Sequence, residues 1–188
     1  MGHGFPAAMV STVALAAYRN ARRLGQDLGG TYEAMDSFVT TFAADGRFVT
    51  ALLAELETDT GRLTWISAGH PPPLVVRAGG RRADVLPTEP VPPLGTGLAL
   101  GPPTVHEDYL EAGDLLALYS DGLAEARNLA GDLVGVEGLA GLLTARRAAG
   151  DGAHALVRRI RRELATNDQA WLSDDASAIL VEWRGSTP

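Results

Sequence analysis

The middle of the chain, residues 48–120, carries the feature that most constrains its fold. Its apolar residues alternate with a period of two, and short polar or glycine-containing turns interrupt the alternation. Segments 48–57 and 63–68 flank the turn at 58–61, which predicts a β-hairpin. Further strand pairs are predicted at 74–77 with 83–86, around Gly79-Gly80, and at 105–111 with 115–120, around residues 112–114. Hairpins in place of alternating βα units predict antiparallel sheet.

Helical patterns lie on both sides of this region. Residues 6–24 recur at helical spacing, with Met9, Val13, Ala16, Ala17, Asn20 and Leu24 on one face. Gly25 and the Gly29-Gly30 pair are predicted to break the helix, and Thr31 to cap a second one at 32–43. Further helices are predicted at 136–149 and 152–166, and a last strand at 177–183. No repeat or linker is apparent, so we expect one α+β domain spanning residues 1–188, with its sheets covered by helices.

Composition and spacing exclude several classes of protein. Cysteine is absent, so there is no disulfide framework, thiolate metal site or cysteine nucleophile. The net charge of −7 argues against a nucleic-acid-binding surface. The four histidines lack zinc spacing, and there is no P-loop. Residues 5–18 are mostly apolar but too short to span a bilayer, and no basic segment precedes them, so we expect a cytoplasmic protein without a membrane segment.

Two acidic clusters stand at the ends of apolar runs. Asp121-Gly122 follows the run at 115–120, and Asp174-Asp175 precedes the run at 176–181. Carboxylates held at strand ends are the hard oxygen ligands that suit Mg²⁺ or Mn²⁺. Taken alone, each cluster is more typical of a simple acidic turn than of a metal site. A third segment, Gly2-His3-Gly4, precedes a helix N-terminus, where exposed N–H groups favour an anion.

The ordered segments resemble the PPM-type serine/threonine phosphatases, in the bacterial branch named after stage II sporulation protein E. The resemblance is carried by Met-Gly-His-Gly at 1–4 and by segments 61–74, 111–128 and 173–180. It implies a sandwich of two antiparallel β-sheets with helices outside and a centre of two Mn²⁺ or Mg²⁺ ions. It also implies that a metal-bound water attacks phosphoserine or phosphothreonine without a phosphoenzyme.

By matching position, the resemblance assigns roles to individual residues. Asp121 and Asp174 are expected to be metal ligands, with Asp175 and Gly122 as weaker candidates for the metal or its surroundings. The loop Gly2-His3-Gly4 is expected near the phosphate. The implied partner is a phosphorylated anti-sigma-factor antagonist, and a homodimer is an open alternative to a monomer.

The sequence departs from the family pattern at its start. The family's glycine loop follows an Asp that holds both metals, and this sequence begins at Met1. We therefore expect an N-terminally truncated chain, the C-terminal three quarters of the family domain, with weakened metal binding. A catalytically incomplete module that binds a regulatory partner is the alternative, and an unrelated metal hydrolase on a similar sandwich is a third. Because the first two helices resemble movable regulatory helices of the branch, Gly29-Gly30 is a candidate hinge.

Overall fold

In the computed structural model of the chain, the helical and the alternating sequence patterns form helices and strands. The structure describes residues 4–43, 46–98, 101–126, 133–165 and 176–186, and for Phe5 and residues 161–165 it describes the backbone alone. The helices are α1 (Phe5–Arg23), α2 (Leu28–Phe42), α3 (Asp121–Ala124), α4 (Gly135–Ala148) and α5 (Ala153–Ala165). The strands are β1 (Ala51–Leu56), β2 (Arg62–Ala68), β3 (Leu74–Val76), β4 (Ala83–Val85), β5 (His106–Tyr109), β6 (Leu115–Tyr119) and β7 (Ala178–Glu182). Of the helices within these ranges, none has the length and apolarity needed to cross a membrane.

The chain divides into two compact units, each assembled from separate segments. The first contains residues 1–56, 62–70 and 88–108, and the second contains 57–61, 71–87 and 109–188. That the whole of 1–188 is a single domain stays a prediction.

The first unit holds a three-stranded sheet in the order β1-β2-β5, with α1 and α2 packed together. The β1–β2 hairpin is confirmed, with antiparallel register from Ala51 opposite Ala68 to Leu56 opposite Leu63. Leu53 and Ile66 bury against α2 residues such as Val39, so the sheet and the helix pair share one core. Burial of these aliphatic side chains is the main stabilising term of such a core.

The second unit holds a four-stranded sheet in the order β4-β3-β6-β7. Its strand pairs are antiparallel, and β6 lies between β3 and β7. Alternate β6 side chains, among them Leu115 and Tyr119, bury against α4 and α5 through Leu143 and Leu156. β3 pairs with β6 as far as Ala117, and β7 pairs with it as far as Tyr119, so the C-terminal end that leads into Asp121 is held by β7.

The predicted pairing of segments 105–111 and 115–120 is wrong. The turn between them is tight, since the N–H of Asp114 donates to the carbonyl of Glu111 at 2.9 Å. However, β5 joins the sheet of the first unit and β6 the sheet of the second. A tight turn limits the local chain direction but does not choose the partner strand, and here each strand has a longer-range partner.

The predicted inner face of α1 is also displaced, by about one residue. The buried positions are Val10, Ala14, Ala17 and Ala21, of which only Ala17 was predicted. Val13 and Ala16 of the predicted stripe instead line an open groove of about 830 Å³, together with Phe38 and Phe42 of α2. Small side chains face inward because alanine lets α1 and α2 pack closely, whereas Met9 and Leu24 remain exposed.

The predicted start of α2 is wrong as well. The helix begins at Leu28, and Asp27 is its N-cap, accepting a hydrogen bond from the N–H of Gly30 at 2.8 Å. Gly29 and Gly30 therefore lie in the first turn of α2 and do not break a helix. Thr31 is fully buried, and its hydroxyl donates to the carbonyl of Asp27 at 2.7 Å. The cap is acidic because a carboxylate both accepts N–H bonds and complements the helix dipole.

Candidate metal centre

Asp121 directly follows the central strand of the second sheet. Strand β6 is almost wholly buried up to Tyr119, and α3 begins at Asp121. The Asp121 side chain is exposed, its Oδ1 accepts the N–H of Gly122 at 2.9 Å, and its carbonyl accepts the N–H of Glu125 at 2.8 Å. The carboxylate thus stands in solvent on a rigid support, which suits a ligand for a hard cation.

Ser120 fastens the end of β6 to the start of β7. Its N–H donates to the carbonyl of Ser177, and its hydroxyl oxygen accepts the N–H of Ser177, both at 2.9 Å. These reciprocal bonds extend the ladder beyond its last paired residues, Tyr119 and Ala178. Sequence reasoning missed Ser120, although a serine just before a helical turn is a recognised signal for a hydrogen bond to backbone.

The start of β6 is fixed by Asp114, a second residue that the sequence did not single out. Its carboxylate is fully buried. Its oxygens accept from the N–H of Ala78 at 2.8 Å, the N–H of Glu111 at 3.0 Å and the guanidinium of Arg77 at 2.9 Å. A buried carboxylate persists only when it is paired and hydrogen-bonded in this way.

Tyr119 is the last residue of β6 and faces the helices, away from the solvent that reaches Asp121. Its side chain is 3% exposed, and within the described residues its hydroxyl has no hydrogen-bond partner. Burial, together with the nearby carboxylate of Glu137, raises the pKa of Tyr119 from 10.0 to about 12. The phenol is therefore harder to ionise than that of an ordinary tyrosine.

The other predicted site residues are distributed unevenly over the described chain. Gly122 is buried beside Asp121, with its N–H on the carboxylate. Gly4 is exposed in the first unit at the N-cap of α1, with φ +91°. Gly2, His3, Asp174 and Asp175 lie outside the described residues. Within the described ranges, no three Asp, Glu or His side chains cluster as a metal site would require.

Comparison with known proteins identifies the fold. Residues 1–184 match the profile of the family described as stage II sporulation protein E (SpoIIE). The RsbU and RsbW domains of Rv1364c from Mycobacterium tuberculosis are similar, with TM-score 0.81 and 26% identity over 100% of this chain and 52% of that chain. The PP2C phosphatase domain of SpoIIE from Bacillus subtilis, solved with a fragment of its regulatory domain, has TM-score 0.72 and 19% identity over 100% and 53%. RsbX in complex with magnesium has TM-score 0.63 and 16% identity over 96% and 75%.

The chain spans about half the length of the first two of these structures. The likenesses to SpoIIE and RsbX show the fold, two antiparallel sheets with helices, as in PP2C phosphatase domains. The profile match covers nearly all of the sequence and agrees with that fold. This chain therefore belongs to the stage II sporulation protein E family.

Proposed function

We propose that this chain supplies the catalytic part of a metal-dependent serine/threonine protein phosphatase, with Asp121 and Asp174 as metal ligands. The proposal rests on the hydrogen bonds that join the end of β6 to the residue before β7, beside Asp121. Ser120 immediately precedes Asp121, and its two hydrogen bonds to Ser177 hold the first residues of β7 at the same end of the sheet.

The covalent chain supports the pairing of the two aspartates. Asp174 is three residues before Ser177, and three residues span at most about 11 Å. We propose that Asp174 lies within this reach of the strand end that presents Asp121. Two carboxylates separated by more than fifty residues in sequence would in this way serve one site, as a metal centre requires.

The donors present fit Mg²⁺ or Mn²⁺ in kind. Asp121 offers a carboxylate oxygen in solvent, and the chain contains no cysteine that would favour a softer ion. Bound metals of this type lower the pKa of water and offset the charge of phosphoryl oxygens. RsbX, a protein of the same fold, was solved with magnesium. In this chain, Asp121 would hold the ion, and the N–H of Gly122 would orient its carboxylate.

The proposed function also includes a class of substrate. We infer a phosphoserine or phosphothreonine protein, in particular an anti-sigma-factor antagonist, acting in the cytoplasm. The mycobacterial relative supports a protein as the partner, because its RsbU domain occurs in one protein together with an RsbW domain. Gly2-His3-Gly4 is proposed to lie near the phosphate, at the start of α1.

Phosphate release from a phosphoserine peptide, with and without Mn²⁺, tests the proposal. We expect Mn²⁺-dependent release by the 188-residue chain, and a loss of at least about a hundredfold in Asp121→Asn, because a metal ligand is removed. Glu125→Gln is the matched control, since Glu125 is an exposed carboxylate four residues away. Equal activity of the Asp121 variant and the wild type would contradict the role of Asp121.

A catalytically incomplete, partner-binding module is the second candidate. It follows if Asp121 and Asp174 do not hold a metal. This reading expects no Mn²⁺-dependent release from any phosphoprotein, while binding to a phosphorylated antagonist persists and is insensitive to EDTA.

A further inference from the structure

A short irregular segment of the first unit contacts three separate elements. The segment, residues 91–95, is named the strap. Its last residue, Gly95, donates its N–H to Oδ1 of Asp36 in α2 at 2.8 Å. Gly95 has φ +86°, and a Cβ there would overlap the side chain of Val39, which is fully buried. Only glycine lets the strap approach α2 this closely.

Leu94 anchors the strap to the segment that leads into β1. Leu94 is fully buried. It exchanges two backbone hydrogen bonds with Val49, at 2.8 and 2.9 Å, two residues before β1 begins. Separating Leu94 from Val49 would expose apolar surface and break both bonds, so this pair keeps the strap beside the segment that leads into β1.

The start of the strap holds the turn that follows β2. The carbonyl of Val91 accepts the N–H of Gly69 at 2.9 Å. Gly69 has φ +62°, and a Cβ there would overlap the ring of Pro93. The same turn is closed by the hydroxyl of Ser67, which donates to the carbonyl of His70 at 2.6 Å.

The strap is also stiff. Residues 92 and 93 are both proline, and proline fixes its own φ while restricting the residue before it. A movement of α2 that pulls Gly95 is therefore transmitted along the strap and not absorbed by rotation of its backbone. We propose that residues 91–95 couple the position of α2 to the conformation of the Gly69–His70 turn. This coupling would carry a change in the position of α2 along the strap to the turn that follows β2.

Amide hydrogen exchange, measured by NMR on the 188-residue chain, tests the coupling. Asp36→Ala removes the acceptor of the Gly95 N–H, and we expect faster exchange of about tenfold at Gly95 and also at Gly69. Asp36→Asn keeps an oxygen acceptor and is expected to exchange as the wild type does. The amide of Leu110, bonded to the carbonyl of Gly61 in the second unit, is the control and should not change.

A variant with a more flexible strap distinguishes transmission along the strap from a general loosening of the first unit. In the Pro92→Ala/Pro93→Ala background, adding Asp36→Ala is expected to speed exchange at Gly95 with no further change at Gly69. The proposal is overturned if Asp36→Ala accelerates Gly95 but leaves Gly69 at the wild-type rate. An equal acceleration at Leu110 would also overturn it, since that result means global unfolding.

Discussion

At the residue scale, the second sheet depends on side chains whose partners are distant in sequence. Arg77 links Asp114, which is fully buried, to Asp84, whose side chain is 28% exposed. Arg147 reaches the carbonyl of Gly113 at 2.7 Å and Glu182 at 3.1 Å. Ion pairs between the same residue types therefore differ greatly in their effect on the free energy of unfolding, because burial decides how much stability is lost when a pair is broken.

The two carboxylates on Arg77 give a matched pair of substitutions. We expect Asp114→Ala to lower the free energy of unfolding by about 3–5 kcal/mol, because it leaves buried donors without an acceptor. Asp84→Ala, at the more exposed side of the same guanidinium, should cost about 1 kcal/mol. Urea unfolding followed by circular dichroism measures both. Equal losses would show that the burial of Asp114 does not matter.

Tyr119 makes stability depend on pH in the alkaline range. Its pKa is raised to about 12 in the folded chain, against 10.0 for a free phenol, so only the unfolded chain ionises between these values. The stabilising contribution of the Tyr119 phenol to the free energy of unfolding is fully present below pH 10. It falls by about 2–3 kcal/mol as the pH rises toward 12. Tyr119→Phe should flatten this decline, whereas Tyr18→Phe, on the exposed side of α1, should retain it. A wild-type decline in Tyr119→Phe, measured by urea unfolding at pH 9 to 12, would refute this origin.

At the element scale, helix ends depend on which glycine adopts which conformation. Gly25 follows α1 with φ +72°, a conformation in which other residues are strained. Gly29 lies inside the first turn of α2, where an added Cβ would meet Oδ1 of Asp27 at an ordinary 3.6 Å. The sequence does not distinguish the roles of these two glycine sites. The backbone dihedral angles show that Gly25 follows the end of α1 and that Gly29 lies within α2.

The same substitution at these two glycines should act in opposite directions. We expect Gly29→Ala to raise the free energy of unfolding by about 0.5–1 kcal/mol, because alanine loses less backbone entropy in a helix. Gly25→Ala should lower it by about 1 kcal/mol through the strain of a positive φ. Thermal unfolding of both variants is the measurement. A destabilised Gly29→Ala would favour the hinge that the glycine pair first indicated.

At the scale of the whole molecule, metal binding should appear as stability. A ligand that binds only the folded chain raises its unfolding temperature, and the stabilisation grows with the logarithm of the ligand concentration divided by Kd. If Asp121 and Asp174 hold a metal, Mn²⁺ at about a hundred times its Kd should raise Tm by roughly 5–10 °C. Asp121→Asn should abolish the increase and Glu125→Gln should retain it. A shift of unchanged size in Asp121→Asn would place the metal elsewhere.

Much of the fold was predictable because it is encoded locally. The β1–β2 and β3–β4 hairpins follow from alternation around a turn, and α4 and α5 from helical periodicity. Asp121 was identifiable for the same reason, as a carboxylate that ends an apolar run. Asp114 and Ser120 were not, because their importance comes from partners that periodicity cannot reveal.

The sequence by itself determined most of the helices and strands, the β1–β2 and β3–β4 hairpins and the family, since period, turn chemistry and motif order are properties of neighbouring residues. The tertiary structure decided that β5 and β6 join different sheets and that α1 buries its alanines. It also decided that Ser120 locks onto Ser177 at the candidate centre. These choices depend on packing and hydrogen bonds between distant segments, whose free energies are compared only when the whole chain folds.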